Sequence, residues 1–406
     1  MKILKLTTKT IYFLLFFMGM IMSSCNSESN KETSISKDVA ELLQRGEKIQ
    51  MGKEWDAVQN EYADYKKAIN ETNDNETKIL MAKLFIKEAR VTGEHGHYYP
   101  GALAILDNAL TDSSITDDLK FLALTTKAGV QLSLHEFQQA LKTGNQALIM
   151  NPTNAQIYGV LVDANVELGN YEKAVVLMDR MVAIKPDIRS YSRVSYLREI
   201  YGDVDGSIEA MTMAVKAGYP GYEETAWAML TLGDMYKQYG ELNKAEKVYQ
   251  AILETRPNYP FAVGGLAEIQ VLQGNDKSAE ETLKQAMDII PEVGFYVSMA
   301  ELYKRQNRQE ELNSIMGEIM VMLKEDTDSG HNMNLEYAHI YLDILDDTEK
   351  ALEYAMDEYI KRPGNIDVNR ILAQVYSIRN NKEQLAYHLN KAKRTGSKHP
   401  ELKKLS

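Results

Sequence analysis

Cysteine is almost absent from this chain: among 406 residues only Cys25 carries a thiol. No disulfide can form within one molecule, so cross-links contribute nothing to its stability. Positive charge is also short. The 46 Lys and Arg face 58 Asp and Glu, a net charge of −12, which argues against nucleic-acid binding and against electrostatic attraction to anionic lipid. The apolar run Ile11–Met22 falls short of the roughly 20 residues a bilayer-spanning helix needs. Catalytic signatures are missing too: there is no HExxH, no GxSxG, no phosphate loop and no cysteine nucleophile beyond Cys25. An enzyme is therefore not expected, and neither is a cofactor or a bound metal.

What is present is periodic. His135, Gly169, Asp203, Gly240, Gly274, Asn307, Asp346 and Asn380 recur at spacings of 34, 34, 37, 34, 33, 39 and 34. These residue types tolerate the left-handed backbone that ends a helix. Five residues after each stands a small or aliphatic residue: Ala140, Ala174, Ile208, Ala245, Ala279, Leu312, Ala351 and Leu385. A period near 34 with an internal turn predicts stacked helical hairpins.

The stretch Ala226 to Tyr259 is the clearest unit. Met229, Leu232, Gly233 and Tyr236 share one face of a first helix, which Gly240 ends. Leu242, Ala245, Val248, Tyr249 and Ile252 share one side of a second, which Pro257 closes. Gly233 and Ala245 are small because the two axes approach to about 8–10 Å there. Pro152, Pro186, Pro220, Pro257, Pro291 and Pro363 fall at the same repeat position. No unit buries its apolar face alone, so the stack forms the core.

This pattern of Leu, small residue, Tyr, Gly, Ala, aromatic, Ala and Pro at fixed offsets resembles the tetratricopeptide repeat over about residues 121–400. The resemblance implies an all-α fold, a right-handed superhelical solenoid of antiparallel helix pairs whose concave groove binds peptides or protein segments. About eight units are clear. The spacings of 37 and 39 place longer joints near Gly218–Glu224 and Glu325–Asn332. In the unit 189–222, Ser195 and Tyr196 depart from the family pattern, and His339 replaces a small residue later on. Upstream, residues 76–110 read as a further unit, with Ala82 and Ala89 on one helix, Ala102, Leu106 and Ala109 on the next, and an enlarged turn at 93–101. Asp38–Asn70 reads as helical with a break near Gly52, and Ala57 marks a degenerate unit. The expected organisation is thus 38–120 irregular units and 121–406 solenoid with a C-terminal cap.

The first 24 residues form a separate object. A basic end with Lys2, Lys5 and Lys9 precedes the short apolar run, as in a secretory signal peptide. Met22-Ser23-Ser24-Cys25 resembles a bacterial lipobox, in which the cysteine is lipidated and becomes the mature N-terminus. Two or more acyl groups anchor far more firmly than one. Residues 25–37 are polar and read as a flexible tether. Asn26 after the cysteine, by the same resemblance, points to the outer membrane, with the periplasmic and surface faces both open. Removing residues 1–24 takes three lysines and no acid, leaving 43 basic against 58 acidic residues, net −15.

Groove residues follow from the resemblance. Asp163, Asp234, Glu268 and Glu301 occupy one groove position in neighbouring first helices, with Trp227, Tyr201 and Phe261 as nearby apolar anchors and Arg193 and Lys237 among them. Such a stripe suits a basic or mixed peptide. The competing reading pairs these acids with Lys237, Lys304 and Arg305 one turn on. Position 5 carries no Lys and Asn pattern, so a clamp for a partner's C-terminal carboxylate is not expected. His95, His97 and Glu94 are the only local group with zinc-ligand chemistry, though a loop packing Tyr98 and Tyr99 accounts for the same residues. The expectation is a membrane-anchored scaffold for protein partners in the bacterial envelope. Its rivals are a lipoprotein delivering glycan or peptide to an outer-membrane transporter and a metal-dependent hydrolase centred on His95 and His97.

Overall fold

The structure, a computed structural model, describes residues 39–405. The expected signal peptide, Cys25 and the tether lie outside the described residues. A 3-10 turn at Glu47–Ile49 precedes α1 (Lys53–Thr72). Helices then follow in pairs: α2 (Asn75–Thr92) with α3 (His95–Thr111), α4 (Asp117–Ser133) with α5 (Phe137–Met150), and α6 (Ala155–Glu167) with α7 (Tyr171–Ile184). Next come α8 (Ile188–Ile200) with α9 (Val204–Ala217), α10 (Glu223–Gln238) with α11 (Leu242–Thr255), and α12 (Pro260–Leu272) with α13 (Asp276–Ile289). The last pairs are α14 (Val293–Arg305) with α15 (Gln309–Asp328), α16 (Asn334–His339) with α17 (Thr348–Lys361), and α18 (Ile366–Ile378) with α19 (Lys382–Ala392), before a short α20 (Pro400–Lys404). Among the described residues no strand forms, and no helix is long and apolar enough to cross a membrane.

The hairpin turns share one hydrogen-bond device. The residue after each left-handed position donates its N–H to the carbonyl five residues back, as Asn170 does to Asn165 at 2.7 Å and Glu241 to Tyr236 at 2.7 Å. That bond satisfies a helix-end carbonyl and aims the chain into the returning helix. Seven of the eight expected turn residues have positive φ, from 55° at Asp346 and Asn380 to 87° at Gly240. The third turn uses Gly202 (φ 75°) instead, and Asp203 caps α9 by accepting from Gly206 N at 3.1 Å. Glycine takes the left-handed site at no steric cost, which frees the aspartate for the cap. In the seventh turn the bond runs six residues back, Asp347 N to Tyr341 O at 2.8 Å. A π-helical turn at Ile340–Ile344 supplies the extra residue directly after His339.

Small residues sit where sequence placed them. Ala245 is fully buried, and a Cβ on Gly233 would meet the Tyr249 ring. Gly265 stands against the same ring from the following unit, so Tyr249 is held between two glycines.

Three expectations about the units need correcting. Residues 93–101 are not an enlarged turn: α3 begins at His95 and runs through Pro100, because Tyr98 and Tyr99 are buried against α2 and its neighbours. The stretch before Gly52 is not a helix but irregular chain plus the 3-10 turn, and Ala57 is exposed while Trp55 and Val58 carry the packing of α1. The 39-residue spacing is not a long joint either; α15 spans 20 residues where α11 and α13 span 14.

First helices touch the first helices of neighbouring units, α4 with α6, α6 with α8, α8 with α10 and α10 with α12. Second helices of neighbouring units make no packing of that extent with one another. First helices therefore line the inside of the curve. The curve closes far enough for successive turns to meet. Arg362 donates to Glu167, Asn365 to the Glu167 carbonyl at 2.9 Å, and Ile366 N to Tyr171 Oη at 2.8 Å. Partners at this seam stand 195 residues apart in the Tyr171–Ile366 bond, roughly six units of 34 residues. Further along, Asn332 N bonds Leu134 O at 3.1 Å and Arg256 reaches Glu54 at 3.3 Å. Gly169 is needed twice over: its φ is 77°, and a Cβ there would overlap the Gly364 backbone.

Candidate binding surface

All nine sequence-predicted groove residues lie on first helices or, for Tyr201, at the end of one. The structure joins several of them. Arg193 grips Asp163 with two bonds of 2.8 and 2.5 Å and also donates to Gly159 O at 3.2 Å. Lys237 bonds both Asp234 and Glu268, linking α10 to α12, and Tyr249 Oη donates to Asp234 at 2.6 Å. Three of the four stripe carboxylates are thus held by cations of the protein itself. Lys304 and Arg305 serve other acids, Asp346 and Asp276. Glu301 has no such cation; loss of solvation raises its pKa, with Asp343 and Glu268 adding to the rise.

The aromatic anchors do not form one group. Phe261 packs between Tyr259 and Phe295, with ring centres 5.7 and 5.8 Å away. Tyr201 sits at the seam, where its carbonyl faces Gly396. Trp227 is 48% exposed, and close by in the chain Tyr219 and Tyr222 are 75% and 69% exposed. Those two tyrosines occupy the long joint at 218–222 and were not singled out from sequence, because a joint has no helical face from which exposure can be read.

A cavity of about 330 Å³ opens where α5 and α6 meet α16, α17 and α18 across the seam, lined by Asp163, Glu167, Glu336, Glu358 and Asp367 with Arg362. Arg362 is committed to Glu358 and Glu167, each at 2.5 Å. One Glu336 carboxylate oxygen is buried without a hydrogen-bond partner. Lost solvation pushes Glu167 up to about 7 against the pull of Arg362, with Asp367 and Asp163 raising it further. Glu199 is also raised by desolvation, while Tyr239 and Gln238 donate to it at 2.9 and 2.8 Å. Sequence reasoning found Asp163 only. Glu167 lies one helical turn beyond it on the same face, a legible signal, but Glu336, Glu358 and Asp367 arrive from units nearly 200 residues later.

His95 and His97 are separated rather than joined. The His97 ring turns away and bonds the Glu41 carbonyl at 2.7 Å, while His95 stacks on Tyr99. His95 instead meets Asp326 and His331, with one ligand atom from each within 4.8 Å of the others.

One carboxylate gives a clean pH test. Burial pushes Glu292 up to about 7, with Asp326 adding to the effect. Because the folded value lies above the unfolded one, ionisation costs stability: the cost is absent below about pH 4.5 and complete above about pH 7. Glu292→Gln is expected to stabilise the protein by about 1 kcal/mol at pH 8, after allowance for partial solvent screening, and to change nothing at pH 4.5. Urea unfolding at the two pH values measures it; equal effects at both would contradict the assignment.

The tetratricopeptide repeat family model matches residues 131–199 and 236–294. No curated protein matches the chain. Among solved structures, the Cut9–Hcn1 hetero-tetramer of APC/C is 14% identical with a TM-score of 0.46, covering 88% of this chain and 59% of that one. The chain therefore spans about three fifths of that relative's length. The human IFIT1 dimer with PPP-AAAA is 16% identical with a TM-score of 0.47, covering 84% of this chain and 78% of that one. A thermophilic repeat protein of Thermus thermophilus is 19% identical with a TM-score of 0.42, covering 49% of this chain and all of that one. Residues 131–199 and 236–294 are thus similar to tetratricopeptide repeats, and they lie within the paired helices that share the turn bond.

Proposed function

We propose that this chain is a membrane-tethered scaffold that holds a protein partner on its inner face, with a basic side chain of the partner entering the acidic cavity at the seam. The observation that carries the reading is the cavity itself, where five carboxylates converge and one oxygen of Glu336 has no partner. A buried acceptor left unpaired costs about 1–3 kcal/mol, and a lysine or arginine of a partner relieves it. Tethering rests on Cys25 and the short apolar run before it, and places the scaffold in a bacterial envelope, at the outer membrane. No chemistry of its own is assigned.

Two measurements test this. Titration with short Lys- and Arg-rich peptides is expected to show salt-sensitive binding that Glu336→Gln and Glu167→Gln weaken about tenfold or more. Equal binding of an acidic peptide would remove the basis of the proposal. Separately, Cys25→Ala is expected to leave the exported protein soluble, and its persistence in washed membranes would contradict the anchor. The delivery reading, with glycan or peptide as cargo, draws on the same cavity; glycan binding insensitive to salt would favour it.

A further inference from the structure

We propose that His95, Asp326 and His331 form a site for a divalent transition-metal ion, zinc as the reference case, that pins α3 to the end of α15 across the seam of the superhelix. His95 opens α3, Asp326 lies in the last turn of α15, and His331 follows in the loop to α16. One ligand atom from each lies within 4.8 Å of the others. Tetrahedral zinc with bonds near 2.0–2.2 Å sets its ligand atoms roughly 3.3 Å apart, so modest side-chain rotation completes the set.

His331 is the observation that points to a ligand. It is 9% exposed, and both ring nitrogens are buried without any hydrogen-bond partner. Buried imidazoles ordinarily bond through at least one nitrogen. Asp326 has no cation within ion-pair distance among the described residues, though its main-chain carbonyl is fully used, accepting from His331 N at 3.0 Å, Ser329 N at 3.2 Å and Ser329 Oγ at 2.7 Å. Desolvation and the neighbouring histidines His135 and His95 hold His331 down at about 3, so its ring is neutral with a lone pair to offer. Burial lowers His95 as well and lifts Asp326 to about 6. Two neutral imidazoles beside one unpaired carboxylate suit a dication and leave room for water at the remaining position.

The surroundings hold the three groups in place. Asn332 is fixed on both sides: its N–H donates to Leu134 O at 3.1 Å, and its carbonyl accepts from His135 Nδ1 at 3.0 Å. Its side chain donates to Glu358 at 2.8 Å. A carbonyl only accepts, so His135 carries its proton on Nδ1, and its ring stands edge-on to His331 at 4.5 Å between centres. On the other side Gly96 lies against Ser329, close enough that a Cβ would touch the serine side chain at 3.2 Å. The six residues by which α15 exceeds α11 and α13 are what carry Asp326 to this place.

The test uses untagged full-length chain carrying Cys25→Ser, so that the thiol adds no ligand, titrated with Zn²⁺ and with Co²⁺. Expected are one ion per chain, the visible absorption of four-coordinate Co²⁺, a higher melting temperature that chelator reverses, and slower amide exchange at residues 93–97 and 326–332. His331→Ala and Asp326→Asn are each expected to weaken Zn²⁺ binding at least 100-fold, whereas His97→Ala leaves it unchanged. Asp326 is only half-buried, so its variant keeps the test valid if His331→Ala fails to fold. Absence of stoichiometric zinc would mean that ordered water alone fills the site, and would overturn the proposal. So would zinc retained in Asp326→Asn and His331→Ala alike, or lost in His97→Ala.

Discussion

Arg362→Ala is expected to destabilise the fold by about 3–5 kcal/mol, the cost of leaving a buried acid without its cation. Arg362 is 5% exposed. It donates to Glu358 and Glu167 and lies over the Phe137 ring at 4.7 Å. Burial pushes the Glu358 carboxyl up, but Arg362, Asn332 and Lys361 together outweigh it and hold the group below its ordinary range. That stabilisation is present above the unfolded carboxylate value near pH 4.5 and is lost as pH falls through the lower folded value. Because two of the three contacts cross the seam, the variant should also expand. Urea midpoints and small-angle scattering measure the two effects. The double variant Arg362→Met with Glu358→Gln should recover much of the loss, since removing both charges is far milder than removing one. A single-variant cost below about 1 kcal/mol would show that the seam does not depend on this arginine.

Ala245→Asp is the second large effect, about 4 kcal/mol, because an unpaired carboxylate would enter a dry helix contact. Ala245 is fully buried and packs among Ala226, Tyr249, Ile252 and Ile269. Ala57→Asp is the matched control. Sequence marks both alanines as unit positions, yet Ala57 is exposed on α1, so a change within about 0.5 kcal/mol is expected. Guanidinium unfolding of the two variants side by side decides it: equal losses would mean that α1 packs as a repeat helix after all.

How much could be read in advance depends on distance along the chain. Turn positions were legible because the left-handed conformation is a property of single residues, and even His135 was found through its spacing. Asp203 and Gly202 are both residue types that suit the turn, and only the left-handed backbone at Gly202 and the cap bond from Gly206 to Asp203 separate them. The stretch 93–101 misleads because three glycines and a proline signal a turn, whereas burial of Tyr98 and Tyr99 overrides that preference. The 39-residue spacing is visible in the sequence, but added length does not say whether loop or helix absorbs it. Of the candidate groove, the acids on first helices followed from helical position. Their partners did not, since Lys304 and Arg305 choose among several nearby acids by geometry alone.

From sequence alone came the hairpin unit, its turns, its small-residue contacts and the all-helical stack, together with a single cysteine behind a short apolar run. Each is encoded within about one 34-residue unit, where backbone preference and the spacing of apolar residues act locally. Only the tertiary structure decided that the stack closes upon itself, so that Glu167 meets Arg362, an acidic cavity forms, and His95 meets His331 rather than His97. The pitch of a superhelix is the sum of small rotations at every interface. No local window contains that sum, and it alone brings residues nearly 200 positions apart into contact.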